Sequence, residues 1–253
     1  MTNKLKFFIG NWKMFGDFSS FKIIYQIHRF CTQSKILAKK NKIILCVPST
    51  LIHFFTKKLK SKFISIGAQN CHYQQSYGPF TGSLNAAMIK KVGAKYVILG
   101  HSENRMEGET NRLIKKKIQS ALNENINIIF CIGETAKEKK SGKTFSIISK
   151  QILSSIEKKF KINKIIFAYE PVWCIGTGKV PNSKELKKMF KFIKDKIRTN
   201  FKVKKDPVVL YGGSVNDRNI KMFSSIAEID GFLIGSASQS SKKFIDIIKN
   251  YYK

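Results

Sequence analysis

Apolar residues along this chain gather in short unbroken runs and seldom alternate with polar ones. Eight such runs recur, at residues 6–10, 43–47, 63–68, 96–100, 126–133, 165–169, 207–211 and 231–235. A strand that is apolar on both faces is covered on both faces, which predicts a parallel sheet under layers of helix. The segments between the runs carry a helical period. In 183–198, Leu186, Met189, Phe190, Ile193 and Ile197 share one face, the lysines fall mostly on the other, and Asn182 or Ser183 is placed to cap the start. In 110–122, Leu113, Ile114, Ile118, Ala121 and Leu122 repeat the pattern, and 241–252 reads as a closing helix. Eight strands alternating with helices about thirty residues apart make a (β/α)8 barrel with a parallel eight-stranded core. The rival is an open doubly wound sheet. It usually has fewer strands and a G-x-G-x-x-G turn after the first, which is absent here. No linker or shift in composition divides the chain, so residues 1–253 read as one domain.

One stretch breaks the rhythm. Residues 70–85, N-C-H-Y-Q-Q-S-Y-G-P-F-T-G-S-L-N, have no helical period but carry two tyrosines and a G-P-F-T-G turn. A long loop on a compact barrel is more often a contact element than idle. It is read here as the arm of a homodimer, against the plainer alternative of a self-packed Ω-loop.

Composition changes this picture only in its charge. Lys plus Arg is 47 against 16 acidic residues, a net charge of +31. That balance admits a nucleic-acid partner. The excess is almost all lysine and is spread along the whole chain, whereas base reading and bidentate phosphate contact favour arginine. Solvated lysine-rich helix faces are the simpler reading, and nucleic-acid binding is not expected. No apolar stretch reaches the length of a membrane span. The N-terminal residues lack the shape of a signal peptide. Five cysteines without C-x-x-C spacing argue against a disulfide framework or a zinc site, and a reducing cytoplasm fits them best.

The candidate chemistry lies just past the ends of the predicted strands. Asn11 and Lys13 follow the first, Gln69 and Asn70 the third, and His101, Ser102 and Glu103 the fourth. Glu134 follows the fifth, Glu170 the sixth, Gly212, Gly213 and Ser214 the seventh, and Gly235 and Ser236 the eighth. In a closed barrel these ends share one mouth, where barrel enzymes place their sites. Glycine turns that open helices present bare N–H groups suited to phosphate. Lys13 supplies a fixed positive charge, Glu170 a general base, and His101 a group to polarise a carbonyl. A base and an electrophile without a nucleophile point to proton abstraction beside a carbonyl.

Six blocks carry a resemblance to a known family. N-W-K (11–13), G-A-Q-N (67–70), G-H-S-E (100–103), C-I-G-E-T (131–135), Y-E-P-V-W-C-I-G-T-G-K (169–179) and Y-G-G-S-V-N (211–216) resemble the triosephosphate isomerases, in order and spacing across residues 7–239. The resemblance implies a single (β/α)8 TIM barrel and reversible conversion of dihydroxyacetone phosphate to glyceraldehyde 3-phosphate, in glycolysis and gluconeogenesis, with no cofactor and no metal. It implies Glu170 as the base that moves a proton between C1 and C2. His101 and Asn11 would polarise the carbonyl, and Lys13 would hold substrate and stabilise the enediolate. This division of roles is a familiar case of acid–base tuning within the family. Gly176, Ser214, Gly235 and Ser236 would hold the phosphate through backbone N–H groups, with Glu103 in support. Pro171 and Trp173 resemble the stiff hinge of a lid whose tip is Ile175–Gly178. Glu134 and Cys131 read as structural.

The chain departs from the family pattern in ways that raise expectations of their own. Ser83 and Asn104 stand where the family commonly pairs Glu with Arg near a dimer interface, and Phe15 replaces a polar residue there. The dimer is therefore expected to lean on apolar contact. Ser236 stands where a second glycine is usual, which implies backbone strain if that position needs φ > 0. Cys174 in the lid suggests an oxidation-sensitive thiol, and Pro181 suggests a stiffer second hinge. A phosphate-binding barrel isomerase acting on sugar amines is the alternative within the enzyme class.

Overall fold

The computed structural model describes residues 5–201, 203 and 205–253. Residues 1–4, part of the stretch read above as lacking a leader, lie outside them. The strands are β1 Lys6–Asn11, β2 Asn41–Cys46, β3 Ile64–Ala68, β4 Tyr96–Leu99, β5 Asn127–Ile132, β6 Ile165–Tyr169, β7 Val209–Tyr211 and β8 Gly231–Ile234. The helices are α1 Phe21–Gln33, α2 Lys35–Lys40, α3 Ser49–Lys58, α4 Ala86–Lys91, α5 Ser102–Met106, α6 Asn111–Asn123, α7 Ala136–Lys140, α8 Thr144–Ser155, α9 Ser183–Phe201 and α10 Ser241–Tyr251. Each strand pairs in parallel with the next, and β8 returns to β1 with Gly10 opposite Ile234, so the sheet closes on itself. No described helix is long and apolar enough to cross a membrane.

Closure explains why the runs are apolar on both faces. Ile9, Ile44, Ile98, Ile129, Ile166, Leu210 and Leu233 point inward and pack as one cluster inside the barrel. The alternate positions, such as Phe8, Ile43, Val97, Phe130 and Phe167, join the helices in a second, larger cluster outside it. The helix read from 183–198 runs on to Phe201 and buries the five apolar residues expected of it. Asn182 caps it: its Oδ1 accepts the Glu185 N–H at 2.9 Å, and Glu185 Oε2 accepts the Asn182 N–H at 3.1 Å.

Two expectations need correction. The seventh strand begins at Val209, not 207, because Pro207 has no N–H to give the ladder. The crossover from β7 to β8 holds no α-helix, only the 3-10 turn Ile220–Ser225. The glycine turn after β7 therefore does not open a helix, and the turn after β8 opens a 3-10 helix, Ser236–Gln239.

The loop 70–85 is tied at its root and open at its tip. The His72 N–H donates to Leu84 O at 2.7 Å, and Asn85 Nδ2 donates to Gln75 O at 3.1 Å. His72 stacks against Tyr73 and Phe80. Tyr77 at the tip is two-thirds exposed.

Candidate active site

The mouth at the C-terminal ends of the strands encloses a cavity of about 290 Å³. The eight residues given a catalytic or binding role line it, Asn11, Lys13, His101, Glu170, Gly176, Ser214, Gly235 and Ser236, and so do Gly212 and Gly213, whereas Gln69, Asn70, Ser102, Glu103 and Glu134, also at strand ends, do not. A larger cavity of about 660 Å³ lies at the opposite end of the barrel, among Phe160, Phe201 and Val208. It brings together no carboxylate and imidazole, so the chemistry belongs to the smaller one.

β1 delivers Asn11 and Lys13. Lys13 has φ 55°, a left-handed backbone that costs a non-glycine residue about 1 kcal/mol. Its neighbours hold it there. Its N–H donates to Asn11 Oδ1 at 3.1 Å, Gln69 Nε2 donates to its carbonyl at 2.8 Å, and Gln239 Nε2 donates to the Trp12 carbonyl at 2.8 Å. The twisted backbone turns the ammonium back over the mouth, where it meets Glu103 Oε1 at 2.6 Å. Glu103 thus holds the lysine side chain in place.

His101 sits at the end of β4 and caps α5, its Nδ1 accepting the Glu103 N–H at 3.3 Å. A nitrogen that accepts from backbone carries no proton, which leaves the proton on Nε2. The Glu103 Oε2 also lies 3.5 Å from Nδ1, but that carboxylate is already engaged by Lys13. Nε2 faces Glu170 Oε1 at 3.5 Å.

Glu170 follows β6, its N–H donating to Ile132 O at 2.7 Å. The side chain is buried, and Oε2 has no hydrogen-bond partner among the described residues. Burial pushes its carboxyl above the usual range, against the lowering influence of His101, Cys131 and Lys13. Gly212 makes the room: a Cβ there would stand 2.5 Å from Glu170 Cγ. The glycine read as a phosphate turn therefore also makes room for the Glu170 side chain. In the stretch read as the lid, Gly176 is exposed and has φ 70°, a backbone that favours glycine.

Glu134 is buried and binds both Tyr169 Oη and, at 2.8 Å, Trp173 Nε1. It ties Trp173, in the stretch read as the lid hinge, to Tyr169 of β6, where the sequence suggests only a structural role. Two departures do not behave as expected. Ser236 is absent from the residues with positive φ, so it carries no left-handed strain. Cys174 is fully buried, and burial pushes its thiol up to about 12. It faces Tyr211, not solvent, and is not a reactive group.

Gln239, Gln151 and Arg105 were not singled out from the sequence. Gln151 exchanges two hydrogen bonds with the Gly133 backbone, at 2.8 and 2.9 Å. Arg105 donates to Gly100 O at 2.7 Å and Cys131 O at 3.2 Å. Both pin the loops that carry His101 and Glu134. Nothing in periodicity or local spacing marks them: the partners of Gln239 and Gln151 lie 227 and 18 residues away, and Arg105 joins Gly100 on its own loop to Cys131, 26 residues on.

A family model described as triosephosphate isomerase matches residues 6–251. The triosephosphate isomerase of Dictyoglomus turgidum is 36% identical, over 97% of this chain and 99% of its own. That of Zygosaccharomyces bailii is 37% identical, over 96% and 98%. The crystal structure of triosephosphate isomerase from Bartonella henselae superposes with a TM-score of 0.88 at 34% identity, covering 98% of this chain and 99% of that one. With likeness in sequence and in fold running over nearly its whole length, the chain belongs to the triosephosphate isomerase family.

Proposed function

We propose that this chain interconverts dihydroxyacetone phosphate and D-glyceraldehyde 3-phosphate. Glu170 takes a proton from C1 of the ketone. The electrons move into the C1–C2 bond as the C2 oxygen gains negative charge. His101 Nε2–H donates to that oxygen, with Asn11 beside it, and the Lys13 ammonium balances the charge. Glu170 returns the proton at C2, while the hydroxyl proton shifts between the two oxygens, and the aldehyde results. The phosphate rests on the N–H groups of Gly176, Ser214, Gly235 and Ser236. Lid closure brings Gly176 over it and keeps water from the enediolate.

The observation that carries this reading is the Glu170 carboxylate. It is buried, one oxygen is unpartnered among the described residues, and the other lies 3.5 Å from His101 Nε2. A coupled assay on triose phosphates and on phosphorylated sugar amines separates the two enzyme readings. Turnover of the triose phosphates alone is expected, and turnover confined to a sugar amine would overturn the assignment.

The working unit is a cytoplasmic homodimer of one-domain barrels, joined through the 70–85 arm. Support comes from the exposed apolar groups Met14, Phe18 and Tyr77, and from Gln69, which ties the root of the arm to the Lys13 loop. Ser83 is exposed and Asn104 half-buried, so apolar contact takes the place of the usual ion pair.

A further inference from the structure

The lid runs from Pro171 to Asn182 and must move at both ends. Its first end is the 3-10 turn Val172–Cys174, and its second is the cap of α9. One side chain outside the lid touches both. Lys139, on α7, places its Nζ 3.6 Å from the centre of the Trp173 ring, the shortest lysine–ring contact among the described residues. The same ammonium lies 3.7 Å from Glu185 Oε1. Glu185 is thereby shared, since its Oε2 accepts the Asn182 N–H that ends the lid.

α7 is a fixed support for this contact. Thr135 and Glu138 cap it reciprocally, and Gln151 holds the Gly133 backbone just before it. Glu134, in the same loop, already holds the Trp173 indole by its edge. Lys139 covers the face of that ring. An ammonium on an indole face is the strongest of the ordinary cation–ring pairs. In the position described, the lid tip at Gly176, Thr177 and Gly178 is exposed and Thr177 bonds only within the segment, to Cys174, Trp173 and Lys179, so no hydrogen bond among the described residues draws the tip across the mouth.

We propose that Lys139 is a positioning residue for the lid: resting on Trp173 at one end and paired with Glu185 at the other, it holds both hinges to α7 in the open position. This rests on the reading of 171–182 as the lid of the phosphate site. Trp173 cannot swing without leaving the ammonium, so Lys139 opposes closure and speeds release of product. A ligand that binds the closed form works against this tie, and removing it shifts the balance towards closure.

The test compares K139M, which keeps the length of the stem, with K139R, which keeps the charge. Acrylamide quenching needs no ligand and reports on half-buried Trp173, since the other tryptophan, Trp12, is fully buried. K139M uncovers the ring face and raises the quenching constant about 2-fold, and K139R restores it. Glycerol 3-phosphate, titrated by tryptophan fluorescence, binds K139M about 3- to 10-fold tighter. KM and kcat fall together in the coupled assay, because the closed form is favoured and release slows. A residue that merely stabilised the fold would lower Tm without tightening the ligand. Quenching, affinity and KM all within 1.5-fold of the parent, or weaker binding by K139M, would overturn the proposal. An inactive parent enzyme whose quenching still responds to K139M would overturn the isomerase reading and leave the tie standing.

Discussion

At Glu170 two demands conflict, and the residue scale shows how they are met. A base that is to take a carbon-bound proton gains from a raised pKa, and burial provides it. The same burial opposes folding of the charged form. The folded pKa lies above the unfolded one, so the folded state binds more protons in that window and stability falls as pH rises through it. E170Q removes the titration. Thermal unfolding followed against pH is expected to show the decline in the parent and not in E170Q, with E170Q the more stable at neutral pH and inactive. Activity runs the other way. The base must be ionised, so kcat/KM falls on acidification at a pH above that of an ordinary glutamate. Two further residues give sharp negatives. Ser236 carries no left-handed strain, so S236G should leave KM within about 2-fold, where relief of strain would lower it. Cys174 is fully buried with a thiol pushed up to about 12. A neutral alkylating agent at pH 7 should leave both its thiol and turnover untouched in the folded enzyme. Neither fact was legible in the sequence. The φ of Ser236 is set by the 3-10 turn it opens, and the burial of Cys174 by a strand 37 residues further on, at Tyr211.

Elements were more legible than residues, for a physical reason. A strand enclosed by helices on one side and barrel core on the other must be apolar throughout, and that pattern is local. It located β1, β3 to β6 and β8 to within a residue at each end, started β2 two residues late and lengthened β7 by two residues at Pro207. The crossover 212–230 was not legible as helix or turn, because its chain folds into a 3-10 segment held by neighbours such as Phe232. Charge pairs between elements were equally hidden. Lys194 on α9 meets Asp230 at 2.9 Å, both buried, and Asp230 also accepts the Val209 N–H at 2.9 Å. This pair holds α9 to the base of β7 and β8. K194M takes a partner from a buried carboxylate, and a loss of about 3 kcal/mol in denaturant unfolding is expected. An unchanged midpoint would mean that the pair adds nothing to the fold.

At the scale of the whole molecule, the site is a product of closure. Asn11, His101 and Glu170 come from β1, β4 and β6, and only the return of β8 to β1 brings them round one cavity. The motifs at strand ends made that legible in advance, whereas Gln239, which holds the Trp12 carbonyl from the far end of the chain, left no local mark. The same scale governs assembly. Exposed Met14, Phe18 and Tyr77 are expected to be covered by a second copy. Sedimentation at micromolar protein should show a dimer, and Y77S should shift it towards monomer by about 10-fold in Kd. A monomeric parent would remove the arm from the account. The excess of lysine is expected to act on substrate encounter, so kcat/KM should fall as salt is raised and nucleic acid should not compete.

The central claim is that the Glu170 carboxylate moves the proton. Its most direct test shortens that side chain by one methylene and leaves its charge in place. In the coupled triose phosphate assay, E170D should lose about 10²-fold in kcat with KM little changed, because the base no longer reaches the carbon. A near-normal kcat in a folded E170D would contradict the account.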